Sequence, residues 1–285
     1  MKAQFDNTVL SSFFLWFDHT LLSKGEAYTN HSSNFYKVDN LYQGYYTQGS
    51  PFRQFVSDCS IAGADVIDGV YVNGVFKNRA ESNFTGINYS QGQAYFISDQ
   101  SANTVSGDYS VKDFNIFLTN QTEEKLLFET QYTLANRVGT SPTGLPPNTK
   151  TYPAVFIKNR GSQNDPFAFG GMDLTNIDVR AIVLADSQFN LDAISSLFRD
   201  EARNYVPLIS ESEQPFNGLG DFKSAPTCYN YDALASGKIG TENDIFIKEV
   251  SVSKVGGVSY AGVHNLNPNV YMALIDFDLE KSRNP

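Results

Sequence analysis

The chain is poor in the residues that do most catalytic work. Of its 285 residues only three are His and two are Cys. The histidines (His19, His31, His264) are scattered, and Cys59 and Cys228 lie far apart in no C-x-x-C or Cys/His pattern. Neither residue type has the spacing of a zinc site, so no metal and no cofactor is expected. The expected state of the cysteines is two reduced, partly buried thiols. There is no G-x-S-x-G, Walker-type loop or dinucleotide fingerprint, the motifs that place a nucleophile or cradle a phosphate. Positive charge is sparse. The 21 Lys and Arg are outnumbered by 31 Asp and Glu, a net charge of −10. With no basic run to neutralise phosphates, the charge argues against a duplex-wrapping role. No apolar stretch approaches the roughly 20 residues of a membrane span. The N-terminus has no secretory pattern, because the run Phe13 to Phe17 is short and sits among Ser, Asp and His.

What the chain does have is rings. Aromatics make up 14% and charged residues only 18%, a balance found at obligate subunit interfaces, which are aromatic-rich and depleted of charge. Phe and Tyr also suit strands, so an ordinary β-rich domain accounts for part of this. The expected class is α+β: β-rich, with antiparallel and mixed sheets, a long N-terminal helix and a second helix packed on a sheet in the C-terminal half.

Residues 5–24 have helical spacing, with Phe5, Val9, Phe13, Trp16 and Phe17 in one stripe, Asp6 or Asn7 as cap and Gly25 at the end. Phe14, Leu15, Leu21 and Leu22 widen the stripe, so this helix is buried on most sides, in the chain's own centre or against a neighbouring subunit. Residues 25–65 are polar and Tyr-rich, and Asn30-His31-Ser32-Ser33 has loop chemistry. Asn73-Gly74 between short apolar runs is a hairpin signal, since both turn positions accept positive φ. Gly92 marks a second turn, and Phe114 to Leu118 a short strand. Helical periodicity returns over 121–136, and the breaker segment 141–147 divides the chain into 1–140 and 148–285, or leaves it one continuous domain. In the second half Tyr152 to Ile157 is a strand, 158–173 a loop, and Ile177 to Ala185 a strand apolar on both faces. A helix follows from Leu191 to about Tyr205, capped by Asn190. A final hairpin pairs Ile245 to Val255 with Val270 to Leu279, the latter alternating apolar and acidic.

Chemistry-bearing groups are few. Adjacent Asp18 and His19 do not face each other on a helix. Cys59 has no local nucleophile motif. Asp276 and Asp278 share a strand face with Glu280 nearby and are expected to be solvated. Asp58, Asp65 and Asp68 fit turns. No catalytic residue is assigned, and the chain is not expected to be an enzyme. Phe13, Trp16 and Phe17 on the helix, with Tyr28, Tyr36, Tyr45 and Tyr46 in the following segment, are the candidates for contact between subunits. Aromatics interleaved with amides also suit a sugar-binding face, which exposed coplanar rings would favour.

Two stretches resemble known proteins. Phe17-Asp18-His19 through Tyr28, then Tyr42 to Tyr46, Ser50 to Val56, Gly69-Val70-Tyr71-Val72-Asn73-Gly74 and Gly92 to Phe96 resemble virion structural proteins of contractile-tailed bacteriophages. Pro153 to Ile157, Gly170-Gly171, Ile177 to Ala185 and the helix from Leu191 resemble the small α/β module of tail-terminator and neck proteins. The resemblance implies a neck or tail-completion ring subunit joining head and tail, with a baseplate, fibre-attachment or capsid-decoration protein, or a glycan-binding module, as alternatives. It implies a virion location and itself as partner in a cyclic homo-oligomer. Further partners would be proteins of the neck, tail tube, sheath or baseplate, with DNA at most in transit through an acidic lumen and no membrane.

Overall fold

The computed structural model of the chain describes residues 4–123, 125–126, 132–134, 150–166, 173–223, 228–255 and 270–283. Helix α1 (Phe5–Ser23) matches its apolar spacing. Its cap differs from expectation: Gln4 precedes the first turn, and its backbone N–H donates to Asn7 Oδ1 at 3.1 Å. Asp6 instead sits in the first turn, where the helix dipole favours a carboxylate. The positive-φ residue after the helix is Glu26 (φ 48°), not Gly25. Gly25 is needed for space, since a Cβ there would lie 2.5 Å from the Leu21 carbonyl oxygen.

Seven antiparallel strands form the first sheet, in the order β4 (Val75–Asn78), β3 (Gly69–Val72), β7 (Val105–Lys112), β1 (Tyr28–Tyr42), β2 (Tyr45–Gly49), β6 (Gln93–Phe96), β5 (Phe84–Asn88). Strand β1 changes partner along its length. Tyr28 to Phe35 pair with β7 in unbroken register, and Tyr36 to Tyr42 pair with β2 across a bulge. The expected loop at Asn30 to Ser33 is therefore strand, because the continuous ladder to β7 satisfies its backbone and outweighs local turn preference. The Asn73-Gly74 turn joins β3 to β4 with φ 50° and 80°, the positive pair a two-residue hairpin requires. Gly92 (φ 65°) lies in the β5–β6 turn, as expected.

The second sheet has the order β13 (Tyr205–Pro207), β14 (Asp244–Val255), β15 (Tyr271–Arg283), β12 (Asp173–Ala185), β11 (Ala154–Pro166), β8 (Asn115–Leu118). It is antiparallel except where β8 runs parallel to β11. The predicted final hairpin is β14–β15. Ala273, Ile275, Phe277 and Leu279 are buried between more accessible neighbours, as alternation requires. Strand β12 is central, and Ala181 to Ala185 are buried on both faces. The predicted loop at 158–173 is a strand as far as Pro166, because β11 continues its ladder with β12 past a bulge near Asn159. Gly170-Gly171 lie outside the described residues. Helix α2 (Gln188–Arg199) is capped by Ser187, whose side chain accepts the Asn190 N–H at 3.2 Å. It ends at Arg199, and Tyr205, expected in the helix, starts β13 and pairs with Phe246.

Among the described residues of 121–136, helical backbone occurs at 123 and 125–126. Tyr132–Leu134 form β9, parallel to β10 (Lys150–Tyr152), since this pairing wins over a short helical period. Leu127, Gln131, Val138 and the 141–147 segment lie outside the described residues. The halves on either side share one sheet through β8 and β11, and one core.

That core forms where α1 and α2 lie on the inner face of the second sheet. Phe17 stacks on Phe198 of α2 at 3.8 Å, and Phe13 meets Phe277 of β15 edge-on at 4.9 Å. The outer face of the same sheet buries Phe156, Ile182 and Leu184 under Leu126. Two covered faces explain why β12 reads as a continuous apolar run.

Candidate functional site

A polar seam crosses the core where α1 meets the 50–60 segment, the end of β7 and the 216–231 segment. Lys112 Nζ donates to Asp18 Oδ1 at 2.6 Å, with both side chains buried. Burial pushes the Asp18 carboxyl above its usual value, and Lys112 opposes that shift. One residue on, His19 Nδ1 donates to Asp58 Oδ2 at 2.8 Å. Asp58 is fully buried, and its Oδ1 also accepts from Ser60 N, Ser60 Oγ and Tyr231 N at 2.7–3.0 Å. Burial alone would raise the Asp58 carboxyl, but the donors from His19, Ser60 and Tyr231 outweigh it and hold the group below its usual value. The His19 ring stacks on Tyr231 at 4.3 Å, and its Nε2 lies 3.5 Å from Asp232 Oδ1, a largely exposed carboxylate.

The cysteines differ from expectation. Cys59 and Cys228 form a disulfide with a Cα–Cα distance of 5.9 Å. Beside it the Cys59 N–H donates to the Tyr229 carbonyl at 2.8 Å, and Asp58 bridges to Tyr229. The backbone thus brings two residues 169 positions apart within bonding reach, which spacing alone does not reveal. The sulfur of Cys59 is consequently no nucleophile. His19 thus lies between two carboxylates, and its bond to Asp58 ties α1 to the 58–60 segment.

Histidine His31 packs its ring on Phe52 at 4.2 Å in β1, and burial lowers its pKa. His264 lies outside the described residues. Asp276 is gripped by Arg180 through two hydrogen bonds of 2.6 and 2.7 Å, and Glu280 is paired with Lys248 at 3.1 Å. Asp278 is exposed, as expected for a solvated face.

The subunit-contact candidates fall into two groups. Phe13, Trp16 and Phe17 are buried in the chain's own core and present no surface to another copy. The helix takes the first of its two expected settings. Tyr36 is exposed, Tyr28, Tyr45 and Tyr46 are half-buried, and the Tyr28 hydroxyl donates to the Ala62 carbonyl at 2.7 Å. Sequence reasoning missed other exposed rings and aliphatics, among them Leu41, Val75, Phe76, Leu118 and Tyr205, and the Tyr-rich segment's Tyr42 is exposed as well.

One hollow adjoins the seam, and a second shares Ser90, Gln91 and Gly220 with its wall. One, of about 350 Å³, is walled by Phe14, Phe55, Tyr89, Phe117 and Phe216 with Asp18 and Lys112 also lining it. The other, of about 560 Å³, is lined by Tyr42, Arg53 and several amide side chains.

The chain matches no protein-family model, and no curated protein is similar enough to count as a relative.

Proposed function

We propose that the chain is a non-catalytic structural subunit of a larger particle, and within that class a neck or tail-completion ring subunit of a tailed bacteriophage. The supporting observation is where its exposed apolar side chains sit. Val75 (57% exposed) and Phe76 (41%) lie on β4, an edge strand, and Phe76 faces Tyr71 across the hairpin with rings 5.4 Å apart. Leu118 on β8 and Tyr205 on β13 are exposed at the two edges of the other sheet. An edge strand offers unpaired N–H and C=O groups, and apolar side chains beside them invite another chain. Different edges on one molecule meet head to tail, the contact that closes a ring when its rotation allows. The phage assignment rests on the resemblance of Phe17 to Tyr28, Gly69 to Gly74, Pro153 to Ile157 and Ile177 to Ala185 to virion proteins.

Native mass spectrometry of the purified chain tests the reading. A closed oligomer is expected, with order six or twelve fitting a neck ring and order three a fibre or baseplate part. The double variant Val75→Asp, Phe76→Asp changes only exposed side chains. It is expected to be monomeric and still folded, with a single cooperative melting transition. A wild-type chain that stays monomeric at high micromolar concentration would overturn the proposal.

A further inference from the structure

We propose that the hollow beneath the β1–β2 hairpin is a binding site for a neutral oligosaccharide. This reading is independent of the ring assignment. The groove of about 560 Å³ runs between that hairpin, the 88–93 turn and the 217–220 segment. Its platform is Tyr42, which is 37% exposed and lies parallel to Tyr95, with ring centroids 5.3 Å apart and planes 4° from parallel.

Tyr95 anchors that platform. It is fully buried, Tyr45 stacks near it at 6.5 Å, and its hydroxyl accepts from Asn88 Nδ2 at 2.8 Å. Burial pushes the Tyr95 phenol up to about 12, so it stays neutral. A ring already fixed on another ring loses little freedom when a ligand lands on it. The faces of pyranose rings carry C–H groups that pack on aromatic rings, while their edges carry hydroxyls that both donate and accept hydrogen bonds.

The rest of the wall suits those edges. Gln93 contributes a side-chain amide whose oxygen accepts only a long bond, 3.5 Å, from the Tyr95 hydroxyl. Gln91 contributes a second amide, with its oxygen held by Arg53. Among the described residues that line the groove there is one cation, Arg53, and no carboxylate. In a chain of net charge −10 this is a carboxylate-free, amide-rich surface whose one charge lies on a buried side chain. Arg53 is buried and engaged with Gln91, which leaves amides and a ring facing the ligand. That combination of one stacking face and few converging polar groups fits a neutral sugar better than an anionic one.

Saturation-transfer NMR on the full chain with cellohexaose, maltohexaose, mannohexaose and chitohexaose, and with a heparin-derived hexasaccharide as the anionic comparison, tests the proposal. Transfer to at least one neutral oligomer is expected. Tyr42→Ala should weaken it by about tenfold or more, and Tyr42→Phe should retain it. Gln93→Ala gives a second reading if Tyr42→Ala lowers the melting temperature, and it too should weaken binding. Transfer to none of the neutral oligomers, transfer to the heparin fragment alone, or binding unchanged in Tyr42→Ala and Gln93→Ala would each overturn it.

Discussion

Asp18 and Asp58 are both buried, and they answer burial in opposite directions because they meet different numbers of donors. Asp18 has the Lys112 ammonium, while Asp58 has four donors from His19, Ser60 and Tyr231. A carboxyl whose folded pKa is depressed contributes stability that is present above the ordinary carboxylate range and lost as pH falls through the folded value. This is the case for Asp58. Asp18, with its pKa raised, has the opposite sign: its contribution falls as pH rises from the ordinary value through the folded one. Asp58→Asn keeps the shape and removes the charge from those hydrogen bonds. It is expected to cost about 2–3 kcal/mol at neutral pH, the scale of hydrogen bonds to a charged group. The difference from wild type should shrink as pH falls from the ordinary carboxylate range through the lower folded value of Asp58. Urea unfolding at stepped pH measures both. A difference that stays constant or widens on acidification would show that Asp58 does not contribute through its charge.

At the level of elements, α1 was readable because every signal in it agrees. Its apolar side chains recur at helical spacing, and burial on most sides follows from there being too many of them for one face. Phe17 is fully buried between Phe13, Phe198 and Phe277. Phe17→Ala is therefore expected to destabilise the fold by about 3–5 kcal/mol, read as a lower urea midpoint, whatever the oligomeric state. A loss under about 1 kcal/mol would place that ring outside the core. The β3–β4 and β14–β15 hairpins were equally legible, the first from Asn73-Gly74 and the second from the alternation of Ile275, Phe277 and Leu279 with Asp276 and Asp278 in β15. What was not legible depends on partners distant in sequence. Asn30 to Ser33 carry turn residues, yet β7, some 75 residues later, supplies their ladder. The candidate sites were hidden for the same reason. Asp58 reaches His19 across 39 positions, and Tyr42 reaches Tyr95 only after β1, β2 and β6 are laid side by side. The expectation of an aromatic, sparsely charged interface also erred in part, because the richest ring cluster serves the chain's own core.

For the whole molecule the disulfide carries the sharpest consequence. Cys59 and Cys228 close a loop of 169 residues and tie the 50–60 segment to the long connection between β13 and β14. Closing so long a loop restricts the unfolded chain, and the chain-entropy relation gives roughly 5 kcal/mol, with typical measured values of about 2–4 kcal/mol. The native core already joins both halves through α1 and the β8–β11 pair, so the reduced chain is expected to remain folded at a lower urea midpoint. Cys59→Ser should reproduce the effect of dithiothreitol on the wild type and be insensitive to the reductant itself. A host cytoplasm keeps thiols reduced. A virion subunit made there would therefore assemble with both thiols free and close the bond only after release. Rapid alkylation in intact cells should label both cysteines, and alkylation of chain exposed to air should label neither. An oxidised chain recovered directly from the cytoplasm would break the link between this disulfide and a cytoplasmic assembly step, and a wild-type midpoint indifferent to reductant would mean that the bond adds nothing to the fold.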